Sequence, residues 1–338
     1  GKDSIRATHR ALADITEVCL SRIADHQYEQ LVERYGEPTG PDSERASLIM
    51  LSLGKLGARE PNYHSDVDVV FLFDKEGTTR HDRRGGETTS NAHFFNELAR
   101  RVIQVSSQHG PLGRLLELDG NLRATSPHAP LAVSLEDMRQ FFSSGDAPLS
   151  QRQRLCKARA IYGTESACLQ SEEIARQAVQ STPWSHESAT QIFQQRMDLE
   201  QTASVHNIKR GPGGTVDVEV IAQMLQLKYA ARSPAVLVQG TLDALQALRD
   251  EGHLEEEDCR VLCQSYDLLR SIESGLRLMN TTARHDLPED NKGLSQLAFL
   301  LGYDDPRQLV EQSRHYRQEN RQRFRAIFDH HSAARPVR

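Results

Sequence analysis

The sequence lacks several features that would each define a class of protein. No apolar run in its 338 residues approaches the length of a membrane-spanning helix, and the first residues contain no signal-peptide core. No repeat of fixed period is present. The formal net charge of −6 provides no global basic field for nucleic acid. We therefore expect a protein that engages neither membranes nor nucleic acids.

Cysteine is also scarce. The five cysteines form no CxxC pair, and Cys259 and Cys263, one helical turn apart, have no histidine at ligand spacing. A zinc site is therefore not expected, and free thiols in a reducing cytoplasm fit better. The composition, 38% hydrophobic and 26% charged, is typical of a soluble globular protein. Because the chain opens on Gly1 and not on Met, we expect it to be one piece of a longer protein.

The first part of the chain mixes helical and strand patterns. Residues 5–35 carry apolar side chains at helical spacing and predict one or two helices within a helical lead over 1–45. A small mixed α/β domain follows over 46–150, with an amphipathic helix at 92–108. Three apolar runs have the length and composition of buried strands: 48–51, 67–73 and 114–118. The polar, glycine-rich stretch 75–91, with Arg80, Arg83 and Arg84, predicts a mobile loop.

The pattern changes after about residue 150. Residues 151–329 predict helices throughout, separated by short breaks that fit the connections of a helix bundle. The final stretch, 306–328, is long and highly polar. We expect the tail, 330–338, to be frayed.

A pair of carboxylates carries the chemistry. Asp66 and Asp68 stand at positions i and i+2 of a predicted strand, so both project from one face. Two such carboxylates repel each other unless a cation lies between them, and two Mg²⁺ ions about 3.5–4 Å apart serve in-line transfer at phosphorus. Asp119, at the end of the next predicted strand, can complete the metal set or accept a proton. The alternative is the solvated face of an edge strand.

The loop before the carboxylates favours a phosphate ligand. Ser52 and the backbone N–H groups near Gly54 can face a triphosphate in the manner of an anion-binding nest. Lys55 either contacts the same phosphates or is a surface lysine. Mg²⁺ prefers oxygen ligands and keeps waters, so carboxylates and substrate phosphates together complete its site.

These residues resemble a known family. Ser52-Leu-Gly-Lys followed by Asp66-Val-Asp68 is similar to the motif of polymerase-β-like nucleotidyltransferases, and Gly54 to Asp68 resembles the signature of glutamate–ammonia ligase (glutamine synthetase) adenylyltransferases. Three further blocks agree in order with that family: Glu117-Leu-Asp119-Gly-Asn-Leu-Arg123, Lys157-Ala-Arg159-Ala-Ile-Tyr-Gly163 and Ile208-Lys-Arg-Gly-Pro-Gly-Gly214-Thr-Val-Asp217-Val-Glu219. The resemblance covers roughly residues 10 to 328.

The resemblance implies a fold and an activity. It implies an α+β protein in which a polymerase-β-like nucleotidyltransferase domain with a mixed sheet precedes an all-α helical bundle. It implies transfer of AMP from ATP, with Mg²⁺, to a tyrosine hydroxyl of glutamine synthetase, and a PII-type signal protein as a further partner. The family joins an adenylylating and an AMP-removing half, and the segment from 216 to the end of the chain looks more like the C-terminal, adenylylating half.

Further cationic residues are candidate nucleotide ligands. Arg123, in the block after Asp119, is a candidate phosphate ligand. Lys209 and Arg210 precede flexible glycines and a helix N-terminus, and they either hold nucleotide phosphates or rim a helix–helix turn. Asp217 near the start of that helix can favour the helix dipole.

The chain also departs from the family pattern. Leu51, Asn121 and Ala124 replace a glycine, an arginine and a proline of the family; Ala58 and Pro61 depart as well, and an aromatic block before Lys157 is missing. These departures keep two alternatives open: phosphorolytic removal of AMP at the same type of site, and a regulator that binds a nucleotide or signal protein without chemistry.

Overall fold

A computed structural model describes residues 4–81, 85–111, 113–280 and 284–332. These residues form two compact units. The first, which we call the sheet unit, comprises His9–Pro61 and Ser65–Ala178. The second, the helical unit, comprises the described residues of Gly1–Thr8, Asn62–His64 and Val179–Arg338.

The helices and strands up to residue 180 belong mainly to the sheet unit. In chain order they are α1 (Ile5–Tyr35), β1 (Glu37–Thr39), β2 (Leu48–Ser52), α2 (Gly54–Gly57), β3 (Asp66–Val67), β4 (Val69–Phe73), β5 (Thr78–Arg80), α3 (Asn91–Ser107), β6 (His109–Gly110), β7 (Gly113–Arg114), β8 (Glu117–Leu118), β9 (Ala132–Ser134), α4 (Leu135–Ser143), α5 (Leu149–Leu155), β10 (Arg159–Tyr162) and α6 (Glu165–Gln180).

A mixed sheet lies at the centre of this unit, as predicted. Its strand order is β10-β2-β4-β9, in which β4 and β9 are parallel and the other neighbours antiparallel. Every residue of β2 and β4 is buried, which explains why both read as unbroken apolar runs. Phe94, Phe95 and Leu98 of α3 belong to the same core, together with Leu20 and Leu31 of α1.

Residues 151–178 differ from the sequence prediction. The helical bundle was expected to begin at residue 151, but Arg159–Tyr162 is a strand that pairs with β2. Its four residues are only half-buried and include two polar side chains, so no apolar run marks them as a strand. Because β10 completes the sheet, the chain leaves the sheet unit after Ala178 and not at the predicted boundary.

The predicted loop 75–91 is partly ordered. Thr78–Arg80 forms β5 and pairs with β1, so the expectation of a mobile loop is wrong for these residues. The Asn91 side chain fixes the segment by donating hydrogen bonds to the Thr39 and Lys75 carbonyl oxygens at 3.1 and 2.9 Å. Such side-chain bonds between distant segments leave no periodic signal in sequence. Arg83 and Arg84 lie outside the described residues.

The helical unit consists mainly of helices, as predicted. They are α7 (His186–Gln201), α8 (Thr215–Tyr229), α9 (Thr241–Asp250), α10 (Glu256–Met279), α11 (Asn291–Leu301) and α12 (Pro306–Ser332), with a 3₁₀ turn at Pro234–Val236. α8 is buried along most of its length, and α10 and α12 pack together beside it. Among the described residues, no helix is both long and apolar enough to cross a membrane.

Candidate active site

The predicted carboxylates lie in or next to a small parallel ladder. β3 pairs with β8 so that Asp66 lies opposite Glu117 and Val67 opposite Leu118. The Asp119 backbone N–H continues the ladder by donating to the Val67 carbonyl oxygen at 3.2 Å. Val67 and Leu118 point into the core. Because side chains alternate along a strand, Asp66 projects from the face opposite Val67, and Asp68 and Asp119 directly follow the last residues of β3 and β8.

Gly54 lies against the second carboxylate. Its φ of +53° belongs to the left-handed region, and a Cβ at this position would clash with Asp68 Oδ2. The Leu53 backbone N–H donates to the Asp68 carbonyl oxygen at 2.9 Å, which ties the glycine loop to the carboxylate segment. The loop therefore approaches Asp68 closely only because residue 54 has no side chain.

The donor set fits Mg²⁺ in its chemistry. Mg²⁺ is usually held by one or two carboxylates together with substrate phosphates and waters. Within the described residues, no group of three or more His, Cys, Asp or Glu side chains could hold a metal ion, so Asp66, Asp68 and Asp119 do not form a ready-made three-carboxylate site. Asp66 and Asp119 are exposed and Asp68 is half-buried. A Mg²⁺ ion at these residues would therefore take further ligands from substrate phosphates and waters.

Ser52 does not face this open side in the structure. Its side chain is fully buried, and its hydroxyl donates to the Arg159 carbonyl oxygen at 2.8 Å. Ser52 and Arg159 are register partners of β2 and β10. A phosphate contact by Ser52, which stays a prediction, requires the hydroxyl to turn away from this bond.

Arg159 holds the glycine loop through hydrogen bonds to its backbone. Its guanidinium donates to the carbonyl oxygens of Leu56 and Gly57 at 3.1 and 3.2 Å, and it pairs with Glu17 at 2.6 Å. It thereby holds the end of the short helix α2 that Gly54 begins. In the sequence, Arg159 stands out only through its place in a family block. Its role could not be predicted, because its partners lie about 100 and 140 positions away.

Lys55 is not a surface lysine, because its side chain is largely buried. Its ammonium lies 4.0 Å from Glu60, as does the ammonium of Lys157. All three side chains are largely buried. These distances join Lys55, Glu60 and Lys157 into one cluster at the base of the loop. A phosphate contact by Lys55 stays a prediction.

Arg123 organises its own loop. Its guanidinium donates to the carbonyl oxygens of Gly120, Leu122 and Ala129 at 2.8, 2.9 and 3.0 Å. The Asp119 carboxylate accepts from the Asn121 backbone N–H at 2.9 Å. The turn that follows Asp119 is therefore closed although the family's arginine and proline are replaced. The role of Arg123 as a phosphate ligand stays a prediction.

Lys209 and Arg210 belong to the helical unit. The backbone N–H groups of both donate to the Asn207 side-chain oxygen, at 3.1 and 2.8 Å. The N–H groups of Gly211, Gly213 and Gly214 are also bonded within the same unit. These backbone N–H groups are thus already hydrogen-bonded, and the side chains of Lys209 and Arg210 remain as the candidate phosphate ligands of this turn.

Asp217 fixes that turn. It is fully buried, pairs with Arg196, and accepts from the Gly213 N–H at 2.9 Å and from Arg321 at 3.2 Å. Asp217 therefore does more than favour a helix dipole: it joins three segments of the helical unit.

Comparisons with known proteins agree with the architecture. A family described as glutamate-ammonia ligase adenylyltransferase matches residues 1–174, and one described as PII-uridylyltransferase matches residues 187–331. The first match ends inside the sheet unit and the second lies inside the helical unit.

Three curated relatives illustrate the similarity; each is named a bifunctional glutamine synthetase adenylyltransferase/adenylyl-removing enzyme. The protein of Aromatoleum aromaticum is 30% identical over 95% of this chain and 32% of its own length. Those of Nitrosococcus oceani and Thioalkalivibrio sulfidiphilus are 31% and 27% identical, each over 97% of this chain and 34% of its own length. The chain spans about a third of the length of these relatives.

Proposed function

Because the chain belongs to the glutamate-ammonia ligase adenylyltransferase family, a family of nucleotidyltransferases, we propose that it transfers AMP from ATP to a tyrosine hydroxyl of glutamine synthetase. The observations that support the proposal are the β3–β8 ladder, which pairs the segment that runs into Asp68 with the segment that runs into Asp119, and the close approach of Gly54 to Asp68. The chain would act as the adenylylating half of a longer enzyme that controls nitrogen assimilation.

The carboxylates and the glycine loop have separate tasks in this reaction. Asp66 and Asp68 would hold Mg²⁺, and the ion would supply neutralisation of the phosphate charge that builds up during transfer at the α-phosphorus. Asp119 completes the set or accepts the proton of the attacking hydroxyl. The bare backbone at Gly54 lets the loop approach the Asp68 carboxylate closely. Catalysis is then mostly positioning and charge neutralisation.

Five other residues are proposed to bind the nucleotide. Their common property is a hydroxyl or a positive charge near one of the family motifs. They are Ser52, Lys55, Arg123, Lys209 and Arg210. For Lys55, its position directly after Gly54, the residue that approaches Asp68, supports the proposal.

The setting and the partners follow from the same premise. Glutamine synthetase is the protein substrate in the names of the relatives, and the match of residues 187–331 to a PII-uridylyltransferase family supports a PII-type signal protein as a second partner. All five cysteines are free, which is consistent with a reducing cytoplasm.

The reverse activity is the second candidate. The relatives are named for both transfer and removal of AMP, and the same face of carboxylates serves phosphorolysis of an adenylylated tyrosine. The third candidate is a regulator that binds a nucleotide or signal protein without chemistry. Leu51, Asn121 and Ala124, which replace a glycine, an arginine and a proline of the family, are the reason to keep it.

One assay separates the three. ATP radiolabelled at the α-phosphorus is incubated with Mg²⁺, purified glutamine synthetase and either this chain or its Asp66→Asn/Asp68→Asn variant. A parallel reaction offers inorganic phosphate and pre-adenylylated synthetase. Label transferred by the parent chain and not by the variant supports adenylylation, and phosphate-dependent release of the adenylyl group as ADP, without label transfer, supports removal. If both reactions are absent, the proposal fails and a binding regulator remains.

A further inference from the structure

The helical unit contains a cavity that the proposed reaction does not use. It has a volume of about 410 Å³, which is within the range of small-molecule sites. One wall is α12, which contributes Ser313, Arg314 and Arg317. The facing walls come from the segment before α8 and from Leu287. Arginines on one wall and apolar side chains on the others would suit an organic anion.

Ser313 is the first sign that a ligand is missing. The residue lines the cavity, is fully buried, and its hydroxyl has no hydrogen-bond partner among the described residues. A buried polar group without a partner is costly and rare in native proteins. A serine hydroxyl can turn between its staggered positions, so Ser313 can donate to an acceptor placed in the cavity.

Arg317 is the second sign. Its guanidinium donates to the carbonyl oxygens of Pro212 and Val205 at 3.2 and 3.0 Å, both neutral acceptors. Burial lowers the pKa of Arg317, although Asp217 and Glu200 act on it from a distance in the opposite sense. No carboxylate of the described residues forms an ion pair with it. An arginine in this position gains from an anion that approaches its remaining N–H groups.

The neighbouring cations are not equally available. Arg321 is already paired with Asp217 and Glu200, and His206 lies 3.5 Å from Glu289. Arg314, in contrast, is exposed at the rim of the cavity. The anion would therefore meet Arg317 and Arg314 and leave the Arg321 pairs intact.

We propose that this cavity is an effector site for a small organic oxyanion, a phosphate or carboxylate group carried on a short carbon skeleton. Ser313, Arg314 and Arg317 bind the charged group, and Val205 and Leu287 on the facing walls contact the skeleton. The site lies within one unit and neither Asp66 nor Asp68 takes part in it.

The cavity is coupled to the glycine turn before α8. The Arg317 backbone lies so close to Gly213 that a Cβ on this glycine would clash with the Arg317 carbonyl oxygen. The Asn320 side chain donates to the Gly213 carbonyl oxygen at 3.0 Å. An anion that draws Arg317 into the cavity would thus also shift the turn that carries Lys209 and Arg210, the proposed nucleotide ligands.

Calorimetric titration of the whole chain tests the proposal. Inorganic phosphate and glutarate are titrated separately at constant ionic strength, without Mg²⁺, ATP or glutamine synthetase. Binding of phosphate identifies the phosphate form of the ligand, and binding of glutarate the carboxylate form. Ser313→Ala should weaken the anion that binds by roughly tenfold, the equivalent of one charge-assisted hydrogen bond. Arg317→Gln should weaken it at least as much.

Matched controls make the result specific. Arg325→Gln removes an exposed arginine from the same helix and should leave the affinity unchanged. The Asp66→Asn/Asp68→Asn variant should also bind normally, so loss of the transfer reaction and loss of this site are distinguishable. Equal affinity of the parent chain and Ser313→Ala, or binding of neither anion, would overturn the proposal. Because Ser313→Ala removes only an unpaired hydroxyl, it should fold even if Arg317→Gln does not.

Discussion

At the scale of single residues, Gly54 makes the closest approach in the candidate site. Its positive φ and its contact with Asp68 both exclude a side chain. Gly54→Ala should therefore displace the loop from the carboxylate and abolish measurable AMP transfer, while the buried strands β2 and β4 keep the fold. Steady-state transfer and circular dichroism of the purified variant measure the two effects.

Gly145→Ala is the matched control for this substitution. Gly145 also has a positive φ, +86°, but nothing lies within 4 Å of the position of a Cβ. The change should cost only about 1 kcal/mol of backbone strain and leave transfer intact. Equal activity of Gly54→Ala and Gly145→Ala would show that the close approach at Gly54 has no functional role.

The spacing of Asp66, Asp68 and Asp119 could be read from the sequence, and the hydrogen-bond partners of their neighbours could not. Their role as metal ligands stays a prediction, since β3 ends at Val67 and Asp68 lies between two strands. Ser52 and Arg123 instead donate to backbone carbonyl oxygens. Such contacts depend on where the chain returns in space, which no local spacing encodes.

At the scale of elements, the short helix α2 depends on a strand far away in sequence. Arg159 of β10 donates to two carbonyl oxygens at the end of α2, and Lys157 just before β10 shares Glu60 with Lys55. The glycine loop is thus held by a segment about 100 residues later. The sequence predicted the loop and the strands on each side of it, but a half-buried strand of four residues has no recognisable periodicity.

Arg159→Gln tests this support. Without the guanidinium, α2 loses two hydrogen bonds and an ion pair, so the loop should position ATP less well. We expect the KM for ATP to rise by roughly tenfold, the equivalent of one or two hydrogen bonds, with a smaller change in kcat. Arg159→Lys should recover only part of the loss, since an ammonium cannot reach both carbonyl oxygens and Glu17 together.

Arg154→Gln provides the comparison, because Arg154 is exposed and lies five residues before Arg159. Its KM for ATP should match that of the parent chain. An unchanged KM in Arg159→Gln, with only the thermal stability reduced, would mean that Arg159 serves the fold and not the loop.

At the scale of the whole molecule, the division into a mixed sheet and a set of helices could be predicted from hydrophobic patterns. The exact boundary could not, since it depends on β10 joining the sheet. The buried charges of the helical unit were also not predictable. Glu273 on α10 is buried and pairs with Arg270, Arg277 and His285, residues brought together by the turns of one helix and the chain after it.

This cluster predicts a pH-dependent stability. Burial by itself would raise the pKa of Glu273, but Arg270, His285 and Arg277 hold that pKa well below its ordinary value. A carboxyl with a lowered pKa stabilises the folded state fully above its ordinary pKa of about 4.3, and loses this contribution as the pH falls towards the lowered value. Glu273→Gln should thus cost about 3–5 kcal/mol at neutral pH, because it leaves buried arginines unpaired.

Denaturant titrations at several pH values measure this effect. The difference between the parent chain and Glu273→Gln should shrink below about pH 4. Glu256→Gln, which changes an exposed carboxylate at the start of the same helix, should alter stability by no more than about 0.5 kcal/mol. A difference for Glu273→Gln that does not depend on pH would contradict the pairing.

The central claim is that Asp66 and Asp68 bind a metal–nucleotide complex, and this binding can be measured directly. Electron paramagnetic resonance can follow the binding of Mn²⁺, in place of Mg²⁺, in the presence of a non-hydrolysable ATP analogue. We expect nucleotide-dependent binding of Mn²⁺ by the parent chain and by Glu44→Gln, which changes an exposed carboxylate. The affinity for Mn²⁺ should fall by about 100-fold or more in Asp66→Asn/Asp68→Asn, because metal ligands worth several kcal/mol are removed. Equal binding by the parent chain and the double variant would contradict it.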